Sequence, residues 1–105
     1  MISARVHAAI ADGRITRNAL VCYPSSPSSD IRPTVRPFEG EIHSTIDING
    51  IILIAPSGFT LSPELSAPRT GFPTREAFES YLEALAAAVP HVTTADQPEV
   101  MVIEF

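Results

Sequence analysis

Residues 41–56 read EIHSTIDINGIILIAP, and this stretch contains the pattern from which the fold can be predicted. Asn49-Gly50 stands between two runs of β-branched residues. This dipeptide is a strong signal for a two-residue hairpin turn, because both central residues of such a turn need a positive φ. The pattern pairs Ile48 with Ile51, so we expect a central β-hairpin here.

The two strands of this hairpin differ in hydrophobic pattern. Residues 41–48 alternate between apolar and polar side chains, which is typical of a half-buried strand. Residues 51–55 are apolar on both faces, and such a strand usually lies in the middle of a sheet with a cover on each side. The polar first strand cannot cover Ile52 and Ile54, so we expect a later loop or helix, or a second copy of the chain, to do so. The candidate covering residues are Phe59, Leu61, Leu65 and Phe72.

Asp12-Gly13 is a second hairpin signal, near the start of the chain. It predicts two antiparallel strands within residues 2–23, although Arg17 then falls on the core face. The alternative is a short helix over residues 4–12, which its alanines favour and Gly13 would end. The pairs predicted for the hairpin are Ile10 with Ile15, Val6 with Ala19 and Ala4 with Val21.

The clearest helix signal covers residues 74–89. Thr74 is a good N-cap, Glu76 lies in the first turn where the helix dipole favours a carboxylate, and Pro90 stops the helix. An apolar stripe runs along one side and predicts packing on a sheet. The stripe residues are Phe78, Tyr81, Leu82, Leu85 and Val89.

The remaining segments complete an α+β prediction. Residues 24–38 are rich in proline and serine and indicate a linker, whereas residues 100–105, VMVIEF, indicate a last strand. We expect a single domain over residues 1–105, with a mostly antiparallel sheet of about five strands and one main helix on one face. The strands would be the two hairpins and the C-terminal strand.

Composition excludes several classes of protein. The chain of 105 residues is 45% hydrophobic, which is enough for a core. Its single cysteine, Cys22, excludes an internal disulfide framework, and no apolar run is long enough to span a bilayer. No signal peptide pattern is visible. We therefore expect a cytoplasmic protein that is not bound to a membrane.

No residue pattern indicates catalysis, a metal or a cofactor. The three histidines, His7, His43 and His91, have no second ligand at metal-binding spacing. Cys22 lies in an apolar segment and is expected to behave as a small hydrophobic residue. The best acid–base candidates are His43 and Asp47 on one strand face, where a substrate could bridge them.

Charge is distributed unevenly along the chain. Residues 1–37 carry a net charge of +3 and residues 38–105 a net charge of −8. Acidic residues recur on one flank of the predicted helix, and none has a lysine or arginine four residues later to pair with. These are Glu76, Glu79 and Glu83. A second acidic group is expected around the first strand of the central hairpin, at Glu39, Glu41 and Asp47.

This pattern predicts a non-enzymatic protein that binds, and thereby could inhibit, a protein partner with a basic surface through those six carboxylates. Direct binding to nucleic acid is not expected from an acidic chain without a recognition motif. In size, acidity and lack of motifs the chain resembles the small inhibitor proteins that phages use against bacterial defence, anti-CRISPR proteins among them. That resemblance implies binding without catalysis.

Two alternatives remain open from the sequence. The first is a homodimeric small-molecule-binding protein or enzyme, in which a symmetry mate covers the apolar strand. Its pocket would be formed by His43, Asp47, Ile52 and Ile54. The second is a subunit whose apolar sheet face docks in a larger assembly.

Overall fold

The computed structural model describes residues 2–25, 32–40, 45–66, 72, 74–93 and 96–104. Its elements are β1 (Ile2–Ala11), β2 (Arg14–Tyr23), β3 (Thr34–Pro37), β4 (Thr45–Asp47), β5 (Gly50–Pro56), α1 (Pro63–Ser66), α2 (Arg75–Ala88) and β6 (Pro98–Glu104). The strands form a 6-stranded sheet in the order β3-β2-β1-β5-β6, and β4 also pairs with β1. Because β4 and β5 pair with successive parts of β1, they lie end to end along the same edge of that strand.

The α+β class and the single main helix are confirmed, but the sheet is mixed rather than mostly antiparallel. β1 runs parallel to both β4 and β5, whereas the β1–β2, β2–β3 and β5–β6 pairs are antiparallel. The additional short strand β3 lies within the segment interpreted as a linker. It occupies an edge of the sheet, where a proline at the end of the strand is tolerated.

The first hairpin is confirmed, and the alternative helix over residues 4–12 is wrong. Asp12 and Gly13 both have positive φ, at 51° and 75°, as a tight hairpin turn requires. The pairing is the predicted one, with Ile10 opposite Ile15 and Val6 opposite Ala19. Local turn chemistry therefore overrides the helix propensity of the alanines.

The central hairpin at Asn49-Gly50 is wrong. β5 is paired with β1 on one side and β6 on the other, so neither edge is left for β4. β4 pairs with the first part of β1 instead, with Asp47 opposite Arg5. Farther along, Ile51 lies opposite Ala8, so the chain between β4 and β5 contains one residue more than the matching part of β1. The dipeptide marks this bulge rather than a reversal of the chain.

Two hydrophobic cores lie on opposite faces of the sheet. The helix-side core joins α2 to the sheet, and its buried residues are Ala8, Ile10, Ile51, Leu53, Ala55, Tyr81, Leu82, Leu85 and Val89. The far-side core contains Ala4, Val6, Ala9, Ala19, Val21, Ile52 and Ile54. β5 contributes to both, as its two-sided apolar pattern predicts.

The predicted cover of Ile52 and Ile54 is wrong. Phe59, Leu61, Leu65 and Phe72 pack against the helix-side core instead. The physical reason is that the chain leaving β5 leads to α2, and it therefore stays on the helix side. The cover on the far side includes Val92 from the connector between α2 and β6. The Asp12 side chain accepts a hydrogen bond from the Val92 backbone at 3.0 Å and so ties this connector to the first hairpin.

Candidate functional site

The predicted acidic flank of α2 is present, but its three carboxylates have different surroundings. Thr74 caps the helix by accepting a hydrogen bond from the Ala77 backbone N–H at 3.1 Å, as predicted. Glu76 and Glu83 are exposed, and neither forms an ion pair with a residue that the structure describes. Glu79, between them, is partly buried against the sheet.

Glu79 is neutralised by an arginine of the same chain. Both of its carboxylate oxygens accept hydrogen bonds from Arg17 Nε, at 2.8 and 3.1 Å, and the Arg17 Nη2 atom adds a further contact. The expectation that these carboxylates lack an internal counterion is therefore wrong at Glu79. The counterion lies on β2, far away in sequence, so spacing along the helix could not identify it.

This ion pair shifts the proton equilibria of both groups. The hydrogen bonds from Arg17 hold the pKa of Glu79 below its ordinary value, and the positive charges of Arg17 and Arg75 lower it further. In turn, the hydrogen bond to Glu79 raises the pKa of Arg17. The folded state therefore binds a proton at Glu79 less readily than the unfolded chain does. The resulting stabilisation is present above the ordinary glutamate pKa and is lost as pH falls through the lowered folded pKa.

Glu79→Gln is expected to lower the melting temperature at neutral pH, and the difference from wild type should close on acidification. Acid protonates Glu79 in the wild-type protein and removes the same charge that the substitution removes. Melting curves recorded from pH 7 down to about pH 3 would measure this closing gap. Glu104→Gln, at an exposed position on β6, is the matched control, with little effect expected at any pH. If the difference in melting temperature between wild type and Glu79→Gln stayed constant with pH, the assigned role of the ion pair would be contradicted.

The other predicted site residues are dispersed. Glu39 is exposed just after β3, and Asp47 is exposed on β4. Ile52 is fully buried in the far-side core, whereas Asp47 faces the helix side, so the structure does not bring these two pocket residues together. Glu41 and His43 lie outside the described residues.

Ile54 lines a different concavity. An open groove of about 600 Å³ on the far side is lined by Ile54 together with Arg14, Arg32, Val35 and Val92. The Arg32 guanidinium donates to the Asp96 carbonyl at 3.1 Å and so closes part of the rim. The predicted pocket is thus divided between two faces of the sheet.

In both strands of the first hairpin, the side chains that face the helix side at one end face the far side at the other end. Val6 packs in the far-side core and Ala8 in the helix-side core, although residues two apart on a regular strand share a face. Ala19 packs on the far side, whereas Ile15 packs on the helix side. Between them, Asn18 has a positive φ of 48°, an uncommon conformation for a residue other than glycine. The irregularity in β2 is therefore at Asn18.

A polar groove lies at this irregularity. Arg5 stands between Ala4 and Val6, which both pack in the far-side core, so Arg5 faces the helix side, and both Arg5 and His7 are exposed. An open groove of about 340 Å³ lies here, and we call it the β1–β4 groove. Its polar lining residues are Arg5, His7, Asn18, Asp47 and Asn49. Irregular strands often aim side chains at functional sites in this way.

Of these five residues, only Asp47 is a site residue predicted from the sequence. The other four come from three separate segments, and the predicted hairpin has an uninterrupted alternation along β1. One signal was available: in a regular hairpin Arg17 would have fallen on the same face as Ala19, inside a hydrophobic core. Because β2 changes the face of its side chains between Arg17 and Ala19, Arg17 does not enter the core that contains Ala19. The same change exposes the polar side chains of the β1–β4 groove.

The described residues show neither a metal cluster nor a membrane-spanning helix. No group of three or more histidine, cysteine, aspartate or glutamate side chains within them is arranged to hold a metal ion. No helix in the same ranges has the length and apolar character needed to cross a bilayer. Two candidate features of the described residues are the exposed carboxylates of α2 and the β1–β4 groove.

Comparisons of the chain with protein-family models, with curated proteins and with solved structures give no match. Fold analogy therefore supplies no assignment. Any function has to follow from the side chains of this chain and from the way the sheet and α2 hold them.

Proposed function

We propose that the protein works by binding a protein partner with a basic surface, and that Glu76 and Glu83 on α2 are the central contacts. The observation that carries this proposal is that both carboxylates are exposed and unpaired among the described residues. The chain also has a formal net charge of −5, with 12 acidic residues and 7 arginines. Such a surplus favours association with positively charged surfaces.

The rigidity of α2 supports the proposal. Leu82 and Leu85 are fully buried against the sheet, and the Tyr81 hydroxyl donates to the Leu65 carbonyl of α1. On the acidic flank, the Arg17–Glu79 pair fixes α2 to β2. The backbone of a preorganised helix loses little conformational entropy when a partner binds. Carboxylates held in this way are suited to bidentate recognition by arginine.

The six carboxylates predicted as contacts then take different roles. Glu79 acts as an anchor of the helix, because its oxygens are occupied by Arg17. Glu39 is an exposed peripheral contact in this proposal, and Glu41 stays a predicted contact outside the described residues. Asp47 belongs to the β1–β4 groove.

The double substitution Glu76→Gln/Glu83→Gln is expected to abolish partner capture without unfolding the protein. Both side chains are exposed, and glutamine preserves their shape, so the change removes charge alone. The tagged protein would be used to capture partners from a lysate of its source cells at about 0.15 M salt, followed by mass spectrometry. A protein that wild type retains should be absent from the double-variant sample.

The matched control is Glu99→Gln/Glu104→Gln on β6, which removes the same amount of charge from an edge of the sheet. This control is expected to capture the same partner as wild type. Equal loss in both double variants would show that net charge, rather than the surface of α2, governs binding. Full retention by the α2 variant would contradict the proposed contacts.

A further inference from the structure

The β1–β4 groove contains two opposite charges that do not pair with each other. Arg5 and Asp47 are direct partners in the register of β1 and β4, and both are exposed. Opposite charges in such positions normally attract each other across the strands. Among the described residues, however, the only ion pair joins Arg17 and Glu79.

Arg5 is held on the side of the groove away from Asp47. Its Nε atom donates to Asn18 Oδ1 at 3.1 Å, and its guanidinium carbon lies 4.6 Å from the centroid of the Phe38 ring. The Phe38 backbone N–H in turn donates to the Asn18 carbonyl at 2.8 Å. These contacts use one nitrogen and one face of the guanidinium. The two terminal nitrogens make no hydrogen bond with a described residue, and they form the fork that binds a carboxylate bidentately.

His7 and Asn49 fix the other side of the groove. The His7 Nε2 atom and the Asn49 Oδ1 atom are 2.7 Å apart, and since Oδ1 accepts, Nε2 carries the hydrogen. This contact joins β1 to the bulge between β4 and β5. It therefore holds the bulge, which follows Asp47 in the chain, against β1.

We infer that the β1–β4 groove binds a small zwitterion of the free amino acid class. The ligand carboxylate binds the terminal nitrogens of Arg5, and the ligand ammonium binds the Asp47 carboxylate. A simple anion would be repelled by Asp47 and a simple cation by Arg5. Only a molecule that carries both charges can pair with Arg5 on one side of the groove and with Asp47 on the other. The groove volume of about 340 Å³ is in the range of small-ligand sites. This site is separate from the proposed partner surface on α2, and neither depends on the other.

The test is a titration of the ¹⁵N-labelled full chain with each of the twenty common amino acids, followed by amide NMR spectra. At least one amino acid is expected to bind at up to about 10 mM and to shift the amide signals of Arg5, Asn18, Asp47 and Asn49. Two fragments of the best amino acid are then titrated: the same molecule without its amino group and the same molecule without its carboxylate. Each fragment is expected to bind at least about tenfold more weakly, because each leaves one wall of the groove unpaired.

Arg5→Gln and Asp47→Asn test the two walls separately. Each is expected to weaken binding of the amino acid by about tenfold or more. The matched charge controls are Arg14→Gln, at the far end of β2, and Glu99→Gln, at the far end of β6, and neither should change the affinity. The same spectra show whether each variant is folded, so a loss of binding can be separated from unfolding.

Three results would overturn the inference. The first is that no amino acid shifts the groove signals at about 10 mM. The second is that the carboxylate-only or amine-only fragment binds as tightly as the intact amino acid. The third is that binding persists unchanged in both Arg5→Gln and Asp47→Asn. None of these results would affect the proposed role of Glu76 and Glu83.

Discussion

Gly50→Ala is expected to destabilise the protein by about 3 kcal/mol or more, since the added methyl group has no space. A Cβ atom at this position would lie 2.0 Å from the Ile103 carbonyl oxygen and 3.0 Å from the carbonyl carbon. These are backbone atoms of β6, so the clash can be relieved only by separating the two strands. Chemical denaturation monitored by circular dichroism would measure the loss.

Gly58→Ala distinguishes steric from conformational effects. Gly58 has a φ of +87°, and a Cβ atom there would meet nothing within 4 Å. Its substitution should cost about 1–2 kcal/mol through backbone strain alone. If Gly50→Ala were no more destabilising than Gly58→Ala, the close approach of β5 and β6 would not be the reason for glycine at position 50.

Leu82→Ala is expected to lower the free energy of unfolding by about 2–5 kcal/mol, because it leaves a cavity between α2 and the sheet. Leu82 has 0% exposure and packs in the helix-side core. The surrounding strands are fixed by their hydrogen bonds and can fill the space only in part. The same denaturation experiment gives the change, with an unaltered slope if the folded state keeps its structure.

The control for Leu82→Ala is Glu83→Ala at the next position of the same helix. Glu83 is exposed, and its truncation should change stability by no more than about 0.5 kcal/mol. Similar losses from the two substitutions would mean that α2 is not anchored through Leu82. A large loss from Leu82 alone would also support α2 as a rigid carrier of Glu76 and Glu83.

Features with local causes were predicted well. The first hairpin follows from the turn residues Asp12 and Gly13, and α2 follows from its Thr74 cap and its apolar stripe. Each depends on residues close together in sequence, so one chain segment contains the relevant information. The strand at the end of the chain was also found, although β6 begins at Pro98, two residues before the predicted start.

Features that depend on competition between distant segments were predicted less well. Asn49-Gly50 carries a strong turn signal, yet β1 and β6 occupy both edges of β5 and leave none for a hairpin. Glycine is needed there because of its approach to Ile103, which no local pattern reveals. The Arg17–Glu79 pair joins β2 to α2 and was hidden for the same reason.

By itself, the sequence determined the α+β class, the first hairpin, the capped helix and the two-sided burial of β5, because turn chemistry and hydrophobic periodicity act over a few residues. Only the tertiary structure decided which edges pair, which carboxylate has a counterion and which polar side chains share a groove. Those outcomes depend on which segment, distant in sequence, lies beside a given strand edge or charged side chain in the folded chain. The change of face at Asn18 and the unpaired charges of Arg5 and Asp47 belong to this second group, and they carry the most specific inference about function.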